Sequence, residues 1–314
     1  EDYVGEDAFR AGLRAYMREH AYGNAGTQDL WRAMREASGK PVERIASSFT
    51  RQPGLPLVIA ESRCESGAQR MALRQERYTL RDPAAPAQRW QVPVSYLSVG
   101  MPHVGKLLLE GSAEVSTGRC GDAVKLNAGD VGYYRVAYGD GAWRALESTL
   151  KDLDPADRAN LIADAWAFAE SGQSGPERLF RLVEGMPADA SRVERESVTR
   201  VIEQLDFLER GRPARAAYRA YAAALLRPVL DRLGWQARRG ESEDSALLRV
   251  QAIRTLGDLG DEQVLAEAQR RFAVFLKNSE SLPPTLRNAV IDLAGRRCDR
   301  ASCDAMPIIC RCQI

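Results

Sequence analysis

The chain opens with apolar residues at helical spacing. Phe9, Leu13, Tyr16 and Met17 fall at offsets 0, 4, 7 and 8, one face of a helix over about 7–19. Glu6 and Asp7 suit its first turn, where the helix dipole favours negative charge. Gly23 and Asn24 tolerate a left-handed backbone and end it. Thr27 reads as the N-cap of a second helix with Leu30, Trp31, Met34 and Ala37 inward, and Gly39 stops that helix. Pro41 at N1 starts a third, carrying Val42, Ile45, Ala46 and Phe49 on one side. HAYGNAGTQDLW (20–31) is therefore expected to be a joint between helices.

After Gln52-Pro53-Gly54 the period drops toward two. LPLVIAES, QRMALRQERY, WQVPVSYLSV, KLLLEG, DAVKLN and GYYRVAY read as short strands punctuated by Gly, Pro, Asn and Asp. Short strands at this spacing predict an antiparallel β-sandwich. RDPAAPAQR (81–89) reads as a polar loop. From Ala142 onward the pattern is helical. Asp154-Pro155 opens a helix with Leu161, Ala165, Phe168 and Ala169 inward. Pro213 opens another, with Tyr218, Ala222, Leu225 and Val229 inward, a kink expected at Pro228 and a stop at Gly234. Val264, Ala268, Phe272 and Phe275 mark a further helix, and Leu286, Val290, Leu293 and Ala294 the last. Helix pairs in series suggest an α-solenoid. The fold class is thus multidomain α+β: a short helical segment (1–53), an antiparallel β-sandwich (54–141) and a HEAT/armadillo-like superhelix (142–314).

Composition narrows the partners. The 314 residues carry 44 Lys+Arg against 43 Asp+Glu, a net charge of +1. That balance argues against nucleic acid, which calls for a basic excess or stripe. No apolar run reaches the length of a membrane span; the longest, YRAYAAALLRPVL (218–230), is broken by Arg219 and Arg227. The start at Glu1 shows no leader pattern and reads like a cut inside a longer protein. A cytoplasmic setting is favoured.

Chemistry-bearing residues are sparse. Only His20 and His103 represent histidine, and six cysteines are present, four of them within the last 17 residues. His20 has no second ligand at metal spacing and suits a helix C-terminus. Cys298, Cys303, Cys310 and Cys312 lack the paired C-x2-C spacing of a zinc site. Tyr133 and Tyr134 fall on opposite faces of a strand, and packing is the expected role of these tyrosines and of Tyr138. Asp157, Arg158, Asn160 and Asp164 could contact a peptide, but a structural role is favoured, with Arg158 pairing with a carboxylate to fix the first superhelix turn against the sandwich. Asp130 and Asp140 fit turn chemistry. A nucleophile at Cys64 or Cys120 served by His103 is a further reading, although nothing in the sequence orients a base beside either thiol.

Three segments change this picture. EDAFRAGLRAYMREHAYGNAGTQDLWRAMREASGKPV (6–42) with TRQPGLPLV (50–58), WQVPVSYLS (90–98) with DVGYYRVAYGDGAW (130–143), and ADRANLIADAWAFAESGQ (156–173) stand in order and spacing. Together they resemble the aminopeptidase N / puromycin-sensitive aminopeptidase family of zinc exopeptidases, over the chain to about residue 300. The resemblance implies that 1–53 are the last helices of a thermolysin-like catalytic domain, followed by the small sandwich and the start of the superhelix. The family's H-E-x-x-H zinc helix, its downstream Glu, its Gly-x-Met-x-Asn amine-binding loop and its oxyanion tyrosine have no counterpart here; His20 is followed by Ala21 and His103 by Val104. The resemblance therefore implies no catalytic, cofactor-binding or metal-ligating residue in this chain. Zinc and peptide substrates would belong to the full-length enzyme, with the superhelix walling its chamber. Beyond LPPTLRNAVIDLAGRR (282–297) the pattern dissolves into a Cys-rich tail. Self-association through a truncated superhelix, or a disordered tail after about Asp299, is expected. The alternative function is a stand-alone scaffold that binds a protein partner through an open helical stack.

Overall fold

The computed structural model describes residues 1–82, 84–187 and 189–296. They form two compact units, Glu1–Gly185 and a second that begins at Met186. The tail cysteines 298, 303, 310 and 312, and the expectations placed on them, lie outside the described residues.

The first unit starts with α1 (Glu6–Glu19), α2 (Thr27–Ser38) and α3 (Val42–Thr50). α1 ends at His20, whose N–H donates to Tyr16 O at 3.1 Å. Thr27 is the first helical residue rather than the cap. Gly26 takes the cap position, and its N–H donates to Asp29 Oδ2 at 2.9 Å. The carboxylate three residues on both satisfies an orphan donor and complements the dipole, which a threonine hydroxyl would do only in part. Gly39 closes α2 in the left-handed conformation, as its sequence position suggests. Pro41 stands just before α3 rather than inside it. Gly12 lets α1 and α2 approach closely, since a Cβ there would lie 2.9 Å from Met34 Sδ.

Seven strands follow: β1 (Leu55–Glu65), β2 (Ala68–Tyr78), β3 (Val92–Ser98), β4 (Val104–Leu109), β5 (Ser112–Arg119), β6 (Val124–Leu126) and β7 (Arg135–Tyr138). They make a four-stranded sheet, β5-β2-β1-β7, and a three-stranded sheet, β4-β3-β6. Ser66 and Gly67, both at positive φ, form the two-residue turn between β1 and β2. One pairing departs from the antiparallel expectation: β7 runs parallel to β1, with Leu57 opposite Arg135. The loop 127–134 returns the chain to the end of the sheet where β1 begins, so the last strand enters in the same direction. Met71, Leu73, Val92, Val94, Leu109, Val124, Leu126 and Val136 are buried. Polar ties link the sheets: Gln75 Nε2 donates to Trp90 O (2.8 Å) and Leu109 O (3.1 Å), and its Oε1 accepts from Trp90 N (2.8 Å). The unit closes with α4 (Asp140–Ser148), α5 (Pro155–Glu170) and α6 (Glu177–Glu184).

The second unit contains α7 (Arg192–Leu208), α8 (Arg215–Leu233), α9 (Glu243–Asp258), α10 (Glu262–Phe275) and α11 (Pro284–Gly295). Ser191 and Glu194 form a reciprocal cap that starts α7. α8 opens at Arg215, two residues after Pro213, runs through Pro228 and ends at Gly234 with φ 63°. α9 lies against both α7 and α11. At Gly257 the approach to α11 is close: an added Cβ would sit 2.3 Å from Leu293 Cδ2. The chain is therefore α+β, three helices, a β-sheet region and then further helices.

Candidate functional site

The largest concentration of buried charge lies where the sheets of the first unit meet α5. β6 is three residues long and wholly buried, and its middle residue is Lys125. A lysine in such a strand needs oxygens at its tip. Lys125 Nζ donates to the carbonyls of Leu126 and Asn127 and to Asn160 Oδ1 at 2.8 Å, with Asp157 Oδ1 at 3.5 Å. Burial lowers its pKa, opposed by the charge of Asp157.

α5 supplies the other side. It is buried nearly all round, including Asp157, Arg158, Asn160 and Asp164. Asp157 Oδ1 accepts from Gly129 N at 2.8 Å. Asn160 Nδ2 donates to Asp130 Oδ1 at 2.7 Å. Asp164 accepts from Arg135 Nη1 (2.9 Å) and from Val136 N (3.0 Å). Burial pushes the Asp164 carboxyl up to about 6, with Arg135 pulling against it. Burial also raises Asp130, with Lys125 opposing. Arg158 donates to the carbonyls of Leu150 (3.5 Å), Lys151 (3.4 Å) and Leu153, and so ties the α4–α5 connection to α5.

The loop 127–132 is shaped to receive these groups. Asn127, Gly129 and Asp130 all have positive φ. Asn127 locks the loop, accepting from Gly132 N (2.7 Å) and donating to Gly132 O (3.0 Å). Gly132 has no room for a Cβ, which would meet Tyr134 Cε1 at 2.2 Å. Tyr134 and Tyr138 are buried and Tyr133 is 73% exposed, the two-faced arrangement their spacing implies. Tyr138 OH accepts from Leu126 N at 2.8 Å, carrying the same network to β7. The arrangement holds charge in place. Lys125, Asp157, Asn160 and Asp164 are each directed at another element of the fold.

Asp157, Asn160 and Asp164, three of the four residues singled out on α5, thus meet Lys125, Asp130 and Arg135. Asp130 is a network member as well as a turn residue. Lys125 was missed, although a single lysine inside the otherwise apolar DAVKL was a signal. Asp140 pairs with Arg178.

The remaining candidates stay apart. His20 packs its ring on Tyr16, centroids 5.3 Å apart, with Nε2 4.0 Å from Glu19 Oε1 and from Asp29 Oδ2. His103 lines an open cleft of about 400 Å³ with Tyr96, Met101, Gly118 and Asp122. Cys64 and Cys120 are joined in a disulfide, so neither offers the free thiol that a nucleophile reading requires. Among the described residues no group of three or more His, Cys, Asp or Glu is arranged to hold a metal ion. No described helix is long and apolar enough to cross a membrane.

The second unit has its own ion-pair cluster. Asp206 on α7 accepts from Arg215 Nε and Nη2 (3.0 and 2.7 Å) and from Arg219 Nε and Nη2 (2.6 and 2.9 Å) on α8. The Arg219 hydrogen bonds, then those of Arg215, hold its carboxyl well below the usual range. Glu203 accepts from Thr255 Oγ1 on α9 at 3.1 Å, and Arg296 pairs with Asp258. These residues line a cleft of about 290 Å³.

Comparison with known proteins finds two family models on the chain. Residues 123–306 match the ERAP1-like C-terminal domain. Residues 1–49 match the Peptidase family M1 domain. Among curated relatives, Aminopeptidase M1-A of Oryza sativa subsp. japonica is 30% identical over 92% of this chain and 34% of its own length. Tricorn protease-interacting factor F2 of Thermoplasma acidophilum is 30% identical over 89% of this chain and 34% of its own. Glutamyl aminopeptidase of Mus musculus is 27% identical over 91% and 31%. The chain spans about a third of the length of these relatives.

Proposed function

This chain belongs to the M1 aminopeptidase family as a C-terminal portion of it, and we propose that it supports a zinc aminopeptidase without performing the chemistry itself. In the whole enzyme, the β region is a sandwich acting as spacer, and the helices from 142 onward begin a HEAT-like superhelix that walls the chamber where peptides enter. The helices of 1–53 are the last of the catalytic domain. Leu13 and Met17 of α1, 40% and 62% exposed, fit a face that packs against the rest of that domain.

The observation that carries this reading is the joint at Lys125. Asp157, Asn160, Asp164 and Arg135 are all spent on holding α5 to the sheets. A general base needs reach to a substrate proton, and these groups reach other elements of the fold. The zinc that M1 membership implies does not fit the described residues. Zinc needs three or four converging ligands, and among the described residues no group of three or more His, Cys, Asp or Glu is arranged to hold one. No step is therefore assigned to a metal here. Peptide substrates belong to the whole enzyme's chamber.

Zinc titration by calorimetry tests this, using a variant with Cys298, Cys303, Cys310 and Cys312 changed to Ser so that tail thiols do not contribute. The expected result is no tight stoichiometric binding. A 1:1 high-affinity site would contradict the proposal.

A further inference from the structure

The Cys64–Cys120 disulfide has no part in the supporting role above. Its place in the fold explains how two residues 56 apart in sequence come to lie 5.4 Å apart at Cα, within the span of an unstrained bridge. Cys64 sits one residue before the end of β1, beside the Ser66-Gly67 turn. Cys120 follows β5, which is separated from β1 by the whole of β2. The end of β5 must therefore curl over the hairpin tip. It does so through an irregularity: Gln69 pairs with Gly118 but Arg70 with Ser116, so Thr117 is an extra residue in β5. Gly118 and Gly121, at φ 131° and 91°, complete the curl.

Hydrogen bonds hold this turn independently of the sulfurs. The buried Gln69 side chain donates to Asp122 O (2.8 Å) and accepts from Gly121 N (3.0 Å). Asp122 Oδ2 accepts from Arg119 N (2.8 Å), and Cys120 N donates to Gly67 O (3.3 Å). The two thiols of the reduced protein would thus be held face to face, and a preorganised pair closes readily. Cys64 itself is exposed. Exposed protein disulfides do not persist in a cytosol kept reduced by thiols; they persist in secreted, periplasmic or other oxidising settings.

We infer that this chain is built to mature in an oxidising compartment, where the Cys64–Cys120 bond staples three strands of the four-stranded sheet. Closing the bond removes two protons and two electrons from the two thiols. A disulfide oxidant accepts them, a thiol oxidoreductase leaving as its dithiol or a small-molecule disulfide as two thiols. The reduced chain keeps the turn but loses the cross-link that restrains the unfolded state. This replaces the cytoplasmic setting favoured from sequence and does not depend on the proposed role in an aminopeptidase.

The test is to produce the full chain twice, once exported through a leader into an oxidising compartment and once in a reducing cytosol. Both samples are alkylated before digestion and mapped by mass spectrometry without reduction. The exported protein should give one cross-linked peptide pair containing residues 64 and 120. The cytosolic protein should give both as alkylated peptides. The exported form should melt higher by roughly 5–10 °C, and a reductant should remove that difference. The double variant C64S/C120S should lose the dependence on compartment, which separates this pair from the tail cysteines. Alkylated Cys64 and Cys120 in the exported protein would overturn the inference, as would equal melting of the oxidised and reduced forms. Should the double variant fail to fold, the peptide map and the reductant shift still decide.

Discussion

Lys125 of β6 and Asn160 of α5 meet at 2.8 Å, both buried, and this contact joins the sheet region to the first long helix after it. An ammonium enclosed by oxygens is held only while each partner stays in place, because neither it nor Asp157 can be left unpaired in the interior.

Removing the amine should therefore be costly. Lys125→Met keeps the stem but strands Asp157, and is expected to destabilise the protein by about 3–5 kcal/mol. Asn160→Ala leaves Lys125 and Asp130 each short of a partner and should cost about 2–3 kcal/mol. Denaturant unfolding measures both. Near-additive losses in the double variant would contradict a shared network, since residues in contact couple.

Asp164 predicts a pH dependence of definite sign. Burial raises its folded pKa from the ordinary carboxylate range to about 6. A raised carboxylate disfavours the charged folded form. Its effect is therefore absent below pH ~4, and stability falls as pH rises from ~4 to ~6, by up to about 3 kcal/mol at 1.36 kcal/mol per unit. Asp164→Asn removes this titration while losing ideal contact with Arg135 and Val136. The variant should be less stable than the parent, and its deficit should narrow as pH rises from 4 to 7. A deficit that widens over that range would count against the assignment.

Asp206 predicts the opposite sign in the second unit. Its folded pKa is depressed by Arg219 and Arg215. The stability it contributes is fully present above the unfolded carboxylate pKa and is lost as pH falls through the folded one. Asp206→Asn should cost about 2 kcal/mol at neutral pH. The parent and variant curves should converge below pH ~4. Parallel curves down to pH 2 would show that the two arginines do not act through the carboxylate's charge.

Legibility followed burial geometry. α1 and α2 show in the sequence because each buries one side only, so their apolar residues recur at helical spacing. α5 opens at its Asp-Pro signal, but it is enclosed on nearly every side, and its polar residues carry no periodic mark of where they point. β5, SAEVSTGR, escaped detection because it offers only Ala and Val to the alternating pattern and exposes much of its length. α7 escaped for a related reason: RVERESVTRVIEQLDFL is rich in charge, and its burial includes Glu194 and Arg195. In the joint, Asp157, Asn160 and Asp164 were legible as a group, whereas Lys125 was hidden in a three-residue strand. Only the fold shows that this strand is buried on both sides.

Gly257 tests packing in the second unit. An alanine there would improve helix propensity by about 1 kcal/mol. Its Cβ would also lie 2.3 and 2.6 Å from the two Leu293 methyl carbons, on a side chain that is itself buried. The steric term should dominate, giving a net loss of about 1–2 kcal/mol in thermal or denaturant unfolding. A stabilised Gly257→Ala variant would mean that α9 and α11 can separate freely.

The central claim is that this chain supports an aminopeptidase and does not catalyse. The most direct measurement is hydrolysis of leucyl p-nitroanilide by the purified chain in zinc-supplemented buffer, with and without a chelator. The account predicts a rate equal to the buffer blank under both conditions. Saturable hydrolysis that the chelator abolishes would contradict it.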